Sequence, residues 1–318
     1  MTIFDNMIGF LRRFKPTLSL YNFFQKSQLD YNVPVYKKLG IPKKYYSSVS
    51  SKDFKNLDQG THLSNDLSQL DRCELYHSSS LASQESLSAF NENGYAILEN
   101  FLSHKEVDAI NSAIDELLKN GTLKYKYGNK IMFAFKHTEH INKVGKNTRL
   151  QEVLDVLLGR KAILFQSINF TSGSEQASHS DSIHMTTYPL GGLLGVWFAL
   201  EDITEENGPL HYYPGSHKLP YYLNSDYDNE GSKWFIGDKD YKAYEAMIDS
   251  KLTDQNIKKK SFLAKKGDVL IWHANLIHGG NAHTNKNKTR KSMVFHYFGK
   301  EVVCYHEISQ RPALMKTS

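Results

Sequence analysis

Apolar positions along this chain recur with two different periods, and the change of period predicts its elements. "GYAILENF" (94–101) has strand composition, and "SHKEVDAINSAIDELLKNG" (103–121) then puts Val107, Ile110, Ile114 and Leu117 on one helical face. Ser103 as N-cap, with Glu106 three residues on, makes a capping box, and Gly121 ends the helix. Leu150, Val153, Leu154, Leu157 and Leu158 repeat the helical spacing; Thr148 and Gln151 read as a second capping box and Gly159 as the stop. Strands dominate from there. "AILFQSINF", "GLLGVWFAL", "PLHYYPG", "GDVLIWH" and "KSMVFHYF" are short, aromatic and aliphatic, and are bounded by Gly, Pro, Asn or Asp. That pattern predicts an antiparallel sandwich or jelly roll, with no internal repeat.

The pattern is looser before residue 85. Ser-rich runs such as "SSVSSKD" (47–53) and "HSSSLASQES" (77–86) read as loops and linkers, so residues 1–84 are expected to be a helical, loop-rich N-terminal extension of a domain spanning 85–318. Ile3, Phe4, Met7, Ile8, Leu11 and Phe14 recur at helical spacing beside Arg12, Arg13 and Lys15. Residues 1–16 therefore predict an amphipathic basic helix that either docks on the barrel, the better reading, or makes a peripheral contact with an anionic membrane. Residues 219–262 interrupt the strands with a polar loop and a helix bearing Tyr241, Tyr244, Met247 and Ile248, a lid-like insertion.

Composition narrows the class. A chain of 318 residues that is 40% hydrophobic and 12% aromatic has room for a full core. No stretch reaches membrane-span length and the first residues lack the pattern of a secretory signal, so a cytoplasmic setting is expected. Cys73 and Cys304 form no CxxC pair and read as free thiols. The net charge of +5 is modest and the basic run "KNKTRK" (286–291) reads as a solvated loop, so no nucleic-acid partner is expected.

Candidate chemistry centres on "HSDSIH" (179–184). A His-x-Asp triplet is weak alone in a chain with 14 His, and needs a third ligand from another strand. "GDVLIWHANLIHGGN" (267–281) carries His273 and His278, and a jelly roll can bring His278 to the mouth occupied by His179 and Asp181. Two imidazoles and one carboxylate on one face of a metal leave adjacent positions open, the arrangement of non-haem Fe(II) oxygenases. A bidentate oxo acid and O₂ would share those positions, and the far carboxylate of the oxo acid would need a fixed cation. Arg290 lies twelve residues after His278 at the start of the next strand, with Ser292 on the same strand face and Lys291 on the other. His273 and His296 alternate with apolar residues and read as packed barrel histidines. His184 is a candidate contact to substrate or to a ligand, and His211 and His217 read as structural.

At these residues the chain resembles the phytanoyl-CoA dioxygenases, a branch of the Fe(II)- and 2-oxoglutarate-dependent oxygenases. The similarity runs from "FNENGYAILENFLSHKEVDAI" through "GSEQASHSD", "GVWFALEDITEENGPLHYYPGSHK" and "KKGDVLIWHANLIHGGN" to "TRKSMVFHYF". It implies a mainly β fold with flanking helices, a double-stranded β-helix (jelly roll, cupin-like barrel), with Fe(II) held by His179, Asp181 and His278. It also implies 2-oxoglutarate held by Arg290 and contacted by Trp197, with Gln166, Asn169 and Ser292 as further candidates for that pocket, and O₂ as co-reactant. The implied reaction releases succinate and CO₂ and oxidises an unactivated C–H bond of a small molecule. Hydroxylation is favoured, because relatives that halogenate have a small residue where this chain has Asp181. Tyrosines, lysines and Trp234 in 219–262 suit a polar or amphipathic substrate. The contrasting reading is a non-catalytic cupin-like binding module with a structural metal, which would not require Arg290 and Ser292 one strand beyond the last ligand.

Overall fold

The computed structural model describes residues 11–57 and 66–315. Thirteen strands are present among them: β1 (Tyr95–Leu98), β2 (Tyr125–Lys126), β3 (Lys130–Met132), β4 (Ala162–Phe170), β5 (Thr186–Tyr188), β6 (Leu193–Ala199), β7 (Leu210–Tyr212), β8 (Lys260–Phe262), β9 (Val269–His273), β10 (His278–Gly280), β11 (Ser292–Gly299), β12 (Val303–His306) and β13 (Arg311–Pro312). A seven-stranded sheet has the order β1-β9-β6-β11-β4-β3-β2; two three-stranded sheets run β10-β7-β8 and β13-β12-β5, and every pairing is antiparallel. This is the double-stranded β-helix expected from the sequence.

The central strands β6, β9 and β11 are buried at every position, which is why they read as near-continuous apolar runs. Strand period sorts their side chains onto two faces. Val196, Phe198, Val269, Ile271, Met293 and Phe295 join a core with α1 (His104–Lys119) and α2 (Thr148–Leu158), on the outer face. Trp197, Leu270, Trp272 and Val294 face inward and pack with Leu210, Tyr212 and Phe262 of β7 and β8. The α1 capping box forms as predicted, with Ser103 Oγ accepting from Glu106 N. The predicted box on α2 does not form: the N-cap is Asn147, whose Oδ1 accepts from Leu150 N at 3.0 Å, and Thr148 is the first helical residue. Asn offers the backbone a side-chain acceptor as readily as Thr does, so the pattern was one residue out of register.

Parts of the first 84 residues pack on this scaffold. Val35, Tyr36, Val49 and Phe54 form a cluster with Tyr188, Val303 and Tyr305, the Phe54 ring stacked on Tyr188 with centroids 4.3 Å apart. Residues 1–10 of the predicted amphipathic helix lie outside the described residues. Its last residues dock on the insertion: Lys15 N donates to Trp234 O, Ile236 N donates to Arg13 O, and Arg13 pairs with Asp238. The insertion's helix, α3 (Tyr241–Asp254), buries Tyr244 and Ile248 against Ile183 and Ile277, while its last residues enter β8. Among the described residues no helix is long and apolar enough to cross a membrane. Cys73 and Cys304 are free and buried.

Candidate active site

The two candidate histidine ligands are set side by side by the backbone. His179 N donates to His278 O and His278 N donates to His179 O, both at 2.9 Å, a bridge that brings the ring centroids to 4.7 Å. His179 Nδ1 lies 2.9 Å from Ala177 O, and His278 Nδ1 lies 3.0 Å from Leu276 O. A carbonyl oxygen only accepts, so each Nδ1 carries the proton and each Nε2 presents a lone pair. Asp181 opens a single helical turn (Asp181–Ile183), and its Oδ1 is 3.9 Å from His278 Nε2. Ligand atoms of His179, Asp181 and His278 all lie within 4.8 Å of one another, and all three residues are buried.

The other carboxylate oxygen is held from the sheet. Trp272 Nε1 donates to Asp181 Oδ2 at 2.8 Å, and His296 Nε2 is 3.5 Å from the same atom. Gln166 Nε2 is 3.2 Å from His296 Nδ1, so an amide donating there leaves the imidazole proton on Nε2, facing the carboxylate. Burial opposes ionisation of Asp181, but His278, His296 and His179 outweigh it and hold the carboxyl well below its ordinary range. Burial, with His278, pulls His179 down to about 3, so its imidazole is neutral at neutral pH. Two imidazoles whose Nε2 atoms face the site and an ionised carboxylate are the donor set that fits a divalent metal with open positions.

These groups line a cavity of about 770 Å³ between the large sheet and the two small ones. Arg290, 2% exposed, reaches into it. Its Nη1 donates to Ser292 Oγ at 2.8 Å, and its guanidinium carbon is 5.5 Å from the Phe170 ring and 5.7 Å from the Trp197 ring. Burial lowers its pKa to about 10, which leaves it a cation at neutral pH. No ion pair to Arg290 forms among the described residues, and its Nε has no hydrogen-bond partner. Lys291 points the other way, to Asp115 on the surface, as strand alternation requires.

Of the predicted residues, the structure brings His179, Asp181, His278, Arg290, Trp197 and Gln166 to one cavity, with Ser292 behind Arg290. Asn169 is not there. It lies three positions from Gln166 on a regular stretch of β4 and so faces the other side of the sheet, opposite Ile131 and Met293 of the outer core. His296 is buried and hydrogen-bonded as read, but it also lines the cavity and touches Asp181, so it belongs to the site from which it was left out. His273 keeps that reading, packed against His217 with centroids 5.6 Å apart. His184 lines the cavity with Nε2 3.0 Å from Tyr241 Oη of α3, so the insertion supports one of its walls. His211 contacts Ser178, and His217 contacts the backbone of Asn91.

Sequence reasoning missed Trp272, Gln176 and Lys130. Gln176 Nε2 is 3.2 Å from His179 Nε2. Lys130 of β3 lines the cavity; burial lowers its pKa and the charge of Asp181 opposes that shift. Trp272 carries no local mark, since β9 is apolar on both faces and its pattern does not assign the inner one. Nothing local marks Lys130 among the other basic residues.

A double-stranded β-helix whose inner face carries two histidines and an aspartate, with a buried arginine deeper in the same cavity, defines the class of the iron- and 2-oxoglutarate-dependent oxygenases. Comparison with known proteins agrees. The family model described as phytanoyl-CoA dioxygenase matches residues 90–292. The chain belongs to that family, and is an Fe(II)/2-oxoglutarate dioxygenase. It is 26% identical over 274 residues to phytanoyl-CoA dioxygenase domain-containing protein 1 of Danio rerio, covering 67% of this chain and 88% of that protein. A homologue of the same protein from Dictyostelium discoideum is 26% identical over 268 residues, covering 67% and 90%. Among solved structures, the non-heme alpha-ketoglutarate-dependent carbocyclase SnoK from nogalamycin biosynthesis superposes with a TM-score of 0.57 at 18% identity, covering 73% of this chain and 88% of that one. EctD from S. alaskensis with 2-oxoglutarate and 5-hydroxyectoine gives 0.56 at 19% identity, covering 83% and 96%. Both support the fold.

Proposed function

We propose that this dioxygenase hydroxylates an unactivated C–H bond of a small amphipathic molecule, with His179, Asp181 and His278 holding Fe(II) and Arg290 holding the remote carboxylate of 2-oxoglutarate. The observation that carries the reading is the pairing, in one cavity, of an open-faced donor triad with a buried guanidinium that has no carboxylate partner among the described residues. A permanent cation held in a nearly dry site requires an anion, and a forked guanidinium matches a carboxylate. When bound, iron with 2-oxoglutarate and O₂ supplies the oxidising power for C–H cleavage as the oxo acid becomes succinate and CO₂.

The chain's own side chains do the positioning. Trp272 and His296 fix the rotation of Asp181 so that Oδ1 faces the metal position, and Gln166 fixes the tautomer of His296. Ser292 orients Arg290, while Phe170 and Trp197 flank its guanidinium and exclude water. Lys130, close enough to feel the charge of Asp181, suits the carboxylate of the oxo acid nearest the metal. Asp181 keeps a carboxylate where a halide would otherwise bind, which favours hydroxylation. We take residues 85–318 as the catalytic domain and residues 1–84 as an extension that braces one of its sheets.

The test is spectroscopic first. Fe(II) and 2-oxoglutarate added under argon should give a weak visible charge-transfer band, and a closed metal shell would stay colourless. With substrate and ¹⁸O₂, one labelled oxygen should enter the product and one the succinate. A product lacking two hydrogens and containing no label would replace hydroxylation by desaturation.

A further inference from the structure

The cavity's charge is not balanced by the cosubstrate. Its lining carries three cations, Lys130, Arg290 and Arg311, against one carboxylate, Asp181. The two carboxylates of 2-oxoglutarate only match a divalent metal, so positive charge remains, and Arg311 lies in no ion pair among the described residues. It sits on the hairpin made by β12 and β13, a sheet separate from the one that carries Arg290, and is itself exposed to solvent.

Arg311 has a companion donor. It is the cross-strand partner of His306, and directly opposed residues of an antiparallel pair project from the same face. His306 Nδ1 is 3.3 Å from Ser309 N, a backbone donor, so Nδ1 accepts and the ring proton sits on Nε2. Burial, with Arg311, lowers the pKa of His306 to about 4, which keeps the ring neutral at neutral pH. Phe165, Met185, Phe298 and Ala313 belong to one apolar cluster and line the same cavity.

The hairpin is held rigidly, and largely by the N-terminal extension. Ser51 N and Oγ both donate to the buried carboxylate of Glu307, at 2.9 and 2.7 Å. Val49 N donates to Gln310 O, and Tyr31 Oη donates to Ala313 O. From the insertion, Asn224 Nδ2 donates to Glu307 O, and Gln310 Nε2 donates to Glu230 O. Gln310 itself is held at φ +53°, a left-handed conformation that a non-glycine residue keeps only where its surroundings impose it. These ties fix the backbone from which Arg311 and His306 project, and a binding element held before its ligand arrives binds more tightly than a mobile one.

We propose that Arg311 and His306 form the subsite for an anionic head group of the substrate, a carboxylate or a phosphate, whose apolar body lies along Phe165, Met185 and Phe298 toward the metal. The inference rests on the dioxygenase reading of the same cavity. Ring-to-ring steps of 6.0 Å from His179 to His184 and 5.3 Å from His184 to His306 separate the head group from the metal ligands.

Titration calorimetry under argon tests this on protein loaded with Fe(II) and 2-oxoglutarate, loading being verified by the visible band. The probes are decanoate, decyl phosphate, decanol and decyltrimethylammonium, all below their micelle concentrations. The expected result is that at least one anion binds ten times or more tighter than decanol, that the cation does not bind, and that the tighter anion names the head group. Arg311→Gln should bring the anions to the level of decanol with the visible band intact, and Arg311→Lys should recover part of the difference. Equal binding of decanol and the anions, or an unchanged preference in Arg311→Gln, overturns the subsite. Absence of the band would instead strike the cosubstrate reading, and the same titrations on metal-free protein would still read the Arg311 preference.

Discussion

Replacing Trp272 by Phe isolates a single hydrogen bond at the metal site. The indole reaches Asp181 because the residue opposite it on β6 is Gly195: a Cβ there would lie 2.2 Å from Trp272 Cε2. Phenylalanine keeps a ring beside His278, now 4.6 Å away between centroids, but it removes the Nε1–H that donates to Asp181 Oδ2 at 2.8 Å. A hydrogen bond to a buried charged group contributes about 1.5–3 kcal/mol. His296 remains 3.5 Å from the same oxygen and retains part of that, so the loss should fall toward the lower end. Outer partners of metal ligands typically matter by about 10–100-fold in metal affinity, which agrees with this range. The assay is anaerobic competition for Fe(II) against a chromophoric chelator, with far-UV circular dichroism as the control for fold. Trp272→Phe should weaken iron binding by about tenfold or somewhat more. The smaller ring also leaves a void and costs about 1–3 kcal/mol of stability, read separately by urea denaturation. Unchanged iron affinity in a folded variant would refute the assignment of Trp272 as the group that orients Asp181.

Three further outcomes are expected. Asp181→Ala should abolish succinate formation and detectable iron binding while the barrel stays folded; undiminished turnover would remove Asp181 from the ligand set. Arg290→Met should raise the 2-oxoglutarate dissociation constant roughly thirty-fold or more, since breaking a buried charge pair costs about 2–5 kcal/mol, whereas Lys291→Met, on the outer face beside Asp115, should leave it unchanged; the reverse result would mean that the register of β11 is wrong. Burial holds His273 neutral with a pKa of about 3, against about 6.5 in the unfolded chain. Between those values the unfolded state takes up a proton that the folded state refuses, so this contribution to stability is complete above pH 6.5 and is lost as pH falls, by about 1.4 kcal/mol per pH unit. Urea midpoints at pH 7, 6 and 5 should therefore fall less steeply in His273→Gln than in the parent, and parallel profiles would contradict the burial argument.

The sequence by itself determined the elements whose signal is local. The capping box at Ser103, the C-terminal glycine of α2 and the apolar runs of β4, β6, β9 and β11 depend on neighbours within a few residues, and the structure has them where the pattern put them. The metal triad was legible for another reason: His179 and Asp181 lie one residue apart, and the strand with His278, together with Arg290 beyond it, fits one known constellation. Tertiary structure decided which face of a doubly buried strand each residue occupies. Where both faces are apolar, composition no longer distinguishes inside from outside, so Asn169 was placed in the cavity although it lies on the other face, and His296 was left out of the site although it lines the cavity. It also decided what the first 84 residues do. Their polar, Ser-rich runs read as linkers because their partners, Glu307, Gln310 and Ala313, are more than 250 residues away, and only folding brings Ser51, Val49 and Tyr31 against the hairpin that carries Arg311. A hydrogen bond between residues so distant in the chain leaves no periodicity to read, because its geometry is set by the packing of the sheets and not by the chain between them.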